Sequence, residues 1–243
     1  MRFPFPTSPE EAGGGFAAGF LSLFPGAGAT TLACLAALSL VESGRQVALV
    51  DFSPFGKARS YMGLTPDVCP ASVLDAAGVS GPGEIRRAGV VHPRSVFVIP
   101  GAARPLDAPQ VDSRLVSRTL AYLRREFDCA VAVLPSIWEA GWAGAIVCDV
   151  ICLVLRPDRA DLDRCRDEVE LLSRLGCGGR VKIVLNQSRA PGALRDEEVR
   201  EALRPDCVLP FDPGVRAMCN KRYLETGRFK KQVLSLLERG DGG

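Results

Sequence analysis

No charged residue occurs between Glu11 and Glu42, and this blank interval constrains the fold more than any other feature of the chain. Its length suits a membrane span or a secretory leader. Its interior and flanks argue otherwise. Pro25-Gly26-Ala27-Gly28 breaks it, and the residues ahead of it hold one basic side chain, Arg2, beside two acids, Glu10 and Glu11. Read in pieces, Phe16–Phe24 is an apolar run of strand length, and Thr30–Val41 is an Ala/Leu-rich helix that stops before Ser43-Gly44. A strand, a glycine loop and a helix, uncharged because both faces are buried, open an α/β fold that can cradle an anion. Residues 1–15, with three Pro and three Gly, read as a flexible tail ahead of a single domain over residues 16–243.

The rest of the chain repeats the alternation. Gln46–Phe52, Val96–Pro100, Cys129–Leu134, Val150–Leu155, Val181–Leu185 and Cys207–Leu209 are short apolar runs bounded by turn residues, and are predicted strands. Ser113–Phe127 carries Val116, Leu120, Leu123 and Phe127 on one helical face, and Asp161–Leu175 does the same with Leu162, Cys165, Val169 and Leu172. Arg228–Arg239 is a closing amphipathic helix. The pattern predicts one doubly wound, mostly parallel sheet of about seven strands with helices on both faces. A net charge of +2, with 47% hydrophobic and 24% charged residues, excludes a polycationic nucleic-acid binder and wholesale disorder. Nine Cys without a Cys-x-x-Cys pair read as buried, reduced thiols of a cytoplasmic protein, with no metal site and no transmembrane segment expected.

The segment Phe24-Pro25-Gly26-Ala27-Gly28-Ala29-Thr30-Thr31-Leu32-Ala33 resembles the P-loop of the MinD/ParA ATPase superfamily, whose pattern is K-G-G-x-G-K-T-T. The downstream phrases ALVDFS, VFVIPG, AVAVLPS, ICLVLRPD, IVLNQ and LPFDPGVRAMCNKRYLE follow in the family's order across residues 16–239. Within the superfamily the chain is similar to the CpaE/TadZ branch, which localises pilus assembly. The resemblance implies a P-loop NTPase-like fold, a homodimer and Mg-ATP as ligand. It places vestigial nucleotide contacts at Gly26, Ala27, Gly28, Ala29, Thr30, Thr31, Asp51 and Asn186, with Thr30 and Asp51 nearest a metal if Mg-nucleotide binds.

The departures fall where the family does its chemistry. A working P-loop needs backbone N–H groups, a lysine on the β- and γ-phosphates and a hydroxyl on Mg²⁺. Its lysine position is Ala29 here, and the family's second, dimer-crossing lysine is Phe24. Pro25, which has no N–H, replaces a glycine. The second acid of the D-x-D after the second strand is Ser53, and the metal-organising acid closing Cys129–Leu134 is Val133. Each lost charge-assisted phosphate contact forfeits ~1.5–3 kcal/mol. The expectation is a catalytically degenerate positioning or scaffolding subunit with no catalytic residues, and with ATP and Mg²⁺ bound weakly if at all. A nucleotide-binding switch of the same fold is the alternative.

Other residues carry weaker signals. Phe24, Pro25, Trp138 and Trp142 are candidate partner contacts, although two Trp four apart also line one face of a core helix. His92 is the only histidine and reads as a loop residue. Arg114, Arg118, Arg124 and Arg125, and Lys221, Arg222, Arg228, Lys230 and Lys231, form two basic clusters. A solvated helix face is the default for them, with DNA or a membrane surface at the inner face or a cell pole as the alternative.

Overall fold

The computed structural model describes residues 6, 8–65, 67 and 69–238. A single turn, α1 (Pro9–Ala12), precedes β1 (Phe16–Ser22) and α2 (Ala29–Val41). β2 (Val47–Asp51) leads into the short α3 (Lys57–Tyr61). β3 (Val90–Val91) and β4 (Phe97–Ile99) follow, then α4 (Ser113–Glu126). β5 (Cys129–Val133), α5 (Trp142–Val147), β6 (Val150–Leu155) and α6 (Arg159–Arg174) alternate. β7 (Val181–Ser188), α7 (Asp196–Leu203), β8 (Cys207–Pro210), α8 (Pro213–Asn220) and α9 (Lys230–Leu236) complete the order.

The strands form one sheet in the order β3-β4-β2-β5-β1-β6-β7-β8. Every pairing is parallel except β3 with β4. The sheet therefore has eight strands rather than about seven. The extra one is a two-residue antiparallel edge whose Val90-Val91 is too short to show a periodicity. β1 lies between β5 and β6, and α2 packs over one face of it. Both elements are buried almost all round, which is why neither tolerates a charge. The second core, on the opposite face of the sheet, is built under α4, α5 and α6. Among the described residues, no helix is long and apolar enough to cross a membrane.

Residues 8–15 depart from the expected tail. Ser8 caps α1, and Ala12 is fully buried. The Gly13-Gly14-Gly15 run crosses the end of α4 at backbone distance: a Cβ on Gly14 would stand 2.3 Å from the Arg124 carbonyl oxygen, and one on Gly15 would stand 2.4 Å from that of Phe127. Here glycine marks a close approach, not slack chain. Arg124 holds the crossing together. Its Nη1 donates to Asp149 Oδ2 at 2.5 Å and to the Val147 carbonyl at 3.0 Å, and its Nε donates to the Gly13 carbonyl at 2.9 Å. The same carboxylate oxygen accepts the Ala17 amide of β1 at 2.8 Å. Residues 1–5 and 7 lie outside the described residues.

At the other end, the Glu42 carboxylate after α2 gathers Arg94 at 2.6 Å, Lys230 at 3.1 Å and the Thr226 hydroxyl at 2.9 Å. This hub docks the C-terminal helix, which lays Val233 and Leu236 into the α2 core. The helix runs Lys230–Leu236, and the predicted end at Arg239 lies outside the described residues.

Removing one member of a buried, hydrogen-bonded ion pair strands the other. Arg124→Ala is therefore expected to cost about 3–5 kcal/mol, read as a lower urea midpoint. An unchanged midpoint would show that Asp149 finds other partners.

Candidate functional site

The carboxyl ends of the strands converge on one cleft of about 690 Å³, the position at which doubly wound sheets bind ligands. The loop from β1 to α2 forms its floor. Gly26 and Gly28 adopt left-handed backbone conformations, with φ of 95° and 103°, so the turn needs glycine at both positions. Gly28 is the N-cap of α2 and offers no side-chain cap, so the first N–H groups of that helix have no side-chain acceptor. Behind the loop, the end of β7 supplies two amides. Asn186 Nδ2 donates to the Ala27 carbonyl at 2.7 Å, and Gln187 Nε2 donates to the Gly26 carbonyl at 2.8 Å. A Cβ on Gly28 would stand 2.3 Å from Asn186 Nδ2.

Most of the predicted residues meet in this cleft: Phe24, Pro25, Gly26, Gly28, Ala29, Thr30, Thr31, Ser53, Val133 and Asn186 all line it. Ala27 is fully buried beneath the loop. Ala29 opens α2 at 6% exposure and presents a methyl group. The Thr31 hydroxyl faces the Cys219 thiol at 3.9 Å. Val133 ends β5 beside Asp51 in the sheet register and brings no oxygen to the cleft.

Asp51 does not reach the cleft, contrary to its expected place beside a metal. It is fully buried and saturated by its own turn. Oδ1 accepts from the Ser53 amide at 2.9 Å and the Ser53 hydroxyl at 2.6 Å, and Oδ2 accepts from the Ala58 amide at 2.9 Å. Burial raises its pKa, and these three donors oppose the shift. Among the described residues, no cluster of three His, Cys, Asp or Glu could hold a metal ion.

The two tryptophans do not share one helical face. The turn after β5 is broken at Glu139, with φ −100° and ψ −110°. Trp138 is 62% exposed, its Nε1 donates to Glu168 Oε1 at 3.1 Å, and the Arg164 guanidinium lies 5.2 Å from its ring centre. Trp142 begins α5 half-buried against the core. The basic clusters are also smaller than their sequence suggests. Arg124 is buried, Arg118 donates to the Ala76 and Ala77 carbonyls, and Lys230 pairs with Glu42. Arg114, Arg125, Lys221, Arg222 and Lys231 are exposed, and the Arg228 side chain lies outside the described residues.

The cleft also holds residues that were not singled out as contacts: Lys57, Phe55, Arg216, Phe211 and Gln187. Gln187, Phe211 and Arg216 stand within the phrases IVLNQ and LPFDPGVRAMCNKRYLE, where nothing marks them as cleft residues. Phe55 and Lys57 enter from the turn after β2 and the start of α3 and carry no local signal.

No protein-family model and no curated protein sequence matches the chain. Its fold matches solved structures. The septum site-determining protein MinD of Pyrococcus horikoshii, complexed with Mg-ADP, superposes with a TM-score of 0.76 at 19% identity, over 93% of this chain and 96% of that one. The cell division ATPase MinD of Pyrococcus furiosus gives 0.76 at 20%, over 93% and 98%. MinD in the MinC:MinD complex of Aquifex aeolicus gives 0.72 at 17%, over 91% and 94%. At such identities the likeness is one of fold, and it is the α/β fold that the strand order describes.

Two predictions follow from the local geometry. Gly28→Ala combines a left-handed φ with the clash at Asn186 and should lose about 1–3 kcal/mol of unfolding free energy. In an Asn186→Ala background the same substitution should cost less, because only the φ strain remains; equal costs would mean that the amide is not packed on the loop. For His92, Nε2 lies 2.9 Å from the Met62 carbonyl and Nδ1 accepts the Arg94 amide, an arrangement that needs the neutral ring. Burial lowers its pKa below the ordinary 6.5. The unfolded chain then binds the extra proton first, so the His92 contribution is complete above pH 6.5 and is lost as pH falls through the folded value. Thermal midpoints should drop below that pH, and the drop should shrink in His92→Gln.

Proposed function

We propose that this chain is a MinD/ParA-fold positioning or scaffolding subunit whose cleft does not hydrolyse ATP. The observation that carries the reading is the floor of the cleft, where Ala29 presents a methyl group at the start of α2 while both oxygens of Asp51 are bound within their own turn. A magnesium-bound triphosphate does not fit these residues. The loop supplies glycine geometry and free N–H groups but no lysine, and neither Asp51 nor Val133 presents a carboxylate to a metal. A helix N-terminus contributes ~0.3–1 kcal/mol toward an anion, and each missing charge-assisted contact removes ~1.5–3 kcal/mol, so the dipole does not restore what the lysines would give. Phosphoryl transfer is stabilised mainly by such charges, and its rate falls with them.

In this reading the protein acts through partners, as the MinD of the MinC:MinD complex does. It works in the cytoplasm, at the inner face of the membrane or at a cell pole. The CpaE/TadZ resemblance supports a role in pilus assembly or in another polar or division machinery. A second copy of the chain, met through Phe24 and Pro25 without ATP, is the homodimer this reading includes. Weak nucleotide binding is the second reading, favoured by the uncapped N-terminus of α2. DNA or membrane association would fall to the exposed Lys221, Arg222 and Lys231.

Calorimetry with Mg-ATP and Mg-ADP tests the assignment. The unaltered chain should show no micromolar affinity and release no phosphate. Ala29→Lys should strengthen Mg-ATP binding by about tenfold or more, the equivalent of one recovered charge-assisted contact. Micromolar affinity or steady phosphate release by the unaltered chain overturns the proposal.

A further inference from the structure

Among the described residues, three of the six exposed large apolar side chains gather at the cleft: Phe55 and Phe211, exposed at 66% and 39%, line it, and Trp138 at 62% stands between two further lining residues, Ser136 and Glu139, while Val91, Leu106 and Tyr223 lie elsewhere. Exposed aromatics gathered around one concavity mark a contact site. Two cations and two carboxylates line the same opening. Lys57 opens α3 and Arg216 lies on the adjoining α8; both line the cleft, and neither forms an ion pair among the described residues. Below them lies the uncapped, electropositive start of α2. The two acids are set apart from these cations by position or by engagement. Glu139 stands on the turn after β5, and the Asp212 carboxylate caps α8 by accepting the Gly214 amide at 2.8 Å.

We infer that the cleft is a peptide groove that takes an acidic segment of a partner protein bearing aromatic or aliphatic anchors. This rests on the scaffold reading, since a cleft filled with nucleotide has no room for a peptide. Carboxylates of the segment meet Lys57, Arg216 and the α2 N-terminus, and its apolar side chains pack on Phe55 and Phe211. Charge complementarity selects this occupant. A basic segment would meet two unpaired cations. In the family geometry a lysine at position 29 would neutralise a ligand from the floor; here the unpaired cations stand on the wall, where an extended chain passes.

The test is fluorescence anisotropy of the full chain with labelled peptides of about twelve residues, a length that spans such a groove. One alternates Asp/Glu with Phe/Leu, a second keeps the apolar residues but carries Lys/Arg, and a third keeps the acids but carries Ser. Only the first should bind. Lys57→Glu with Arg216→Glu, and separately Phe55→Ser with Phe211→Ser, should each weaken it by about tenfold or more, whereas Arg174→Glu, at the end of α6 away from the carboxyl ends of the strands, leaves it unchanged. Circular dichroism confirms that each variant is folded. No binding by the acidic apolar peptide, equal binding by the basic one, or indifference to both double variants overturns the inference. Such a failure without phosphate release leaves the scaffold reading standing. Phosphate release in the same samples, or displacement of the peptide by micromolar Mg-ATP, overturns both. Sedimentation shows whether a second copy occupies the cleft instead, and a dimer abolished by Phe55→Ser with Phe211→Ser also counts against the inference.

Discussion

β1 and α2 sit where the fold can least tolerate charge. β1 is hydrogen-bonded on both edges, and α2 presses on the sheet while α9 presses on α2 from outside. Leu32, Leu35 and Leu38 are each at most 3% exposed, and the intervening alanines and Cys34 are buried as well. A single uncompensated charge there would cost several kcal/mol, comparable with the whole stability of a domain. The strand and helix must also turn back on each other at the open end of the sheet. That places Gly26 and Gly28, with their left-handed φ, at the cleft floor. The shape of the loop therefore follows from packing and outlasts any particular ligand chemistry.

Asp51 shows how that separation works. It stands at the end of β2, next to Val133 in the neighbouring strand, yet its carboxylate is spent on the turn that starts α3. The amides of Ser53 and Ala58 take this acceptor whether or not a ligand is present, because Asp51 and Ala58 are buried beneath the turn. Desolvation of Asp51 raises its pKa, and three short donors oppose that shift without cancelling it. An acid in this state is a structural acceptor. Its retention says little about metal chemistry, and the serine two residues on is its donor rather than a replacement for a second acid.

Much of this architecture was legible in the residues, and what was not had physical causes. Seven of the eight strands and the helices α2, α4, α6 and α9 declare themselves in the sequence, because burial on one or both faces is written in apolar spacing. β3 is two residues long and α3 five, too short for any period to register. The Gly13-Gly14-Gly15 run looks slack in sequence because the same residue serves both flexibility and close approach, and only the Arg124 and Phe127 carbonyls beside it decide between them. Arginine clusters mislead for a related reason: Arg118 and Arg124 spend their guanidinium groups on carbonyls and on Asp149, partners distant in the chain. At the cleft the loop residues were foreseeable from spacing. Lys57, Phe55, Phe211 and Arg216 were not, since they arrive from the turn after β2, the start of α3, the end of β8 and α8, and share only a destination.

That distinction bears on how a cleft of this kind can change its use. The floor is held from behind by Asn186 and Gln187, whose amides take the carbonyls of Ala27 and Gly26. With both carbonyls engaged, and Gly28 confined by the Asn186 amide, the loop keeps its form without a phosphate to organise it. The walls are turns, and turns accept new side chains at little cost to the core. Alanine at position 29 supplies no ligand charge and leaves no cavity, because its methyl group fills the start of α2 against the sheet. Cations and aromatics on the surrounding turns then determine what the concavity recognises. The physical coupling between fold and ligand is thus weak at Ala29 and strong at Gly28, so the first can vary in chemistry while the second cannot vary in shape.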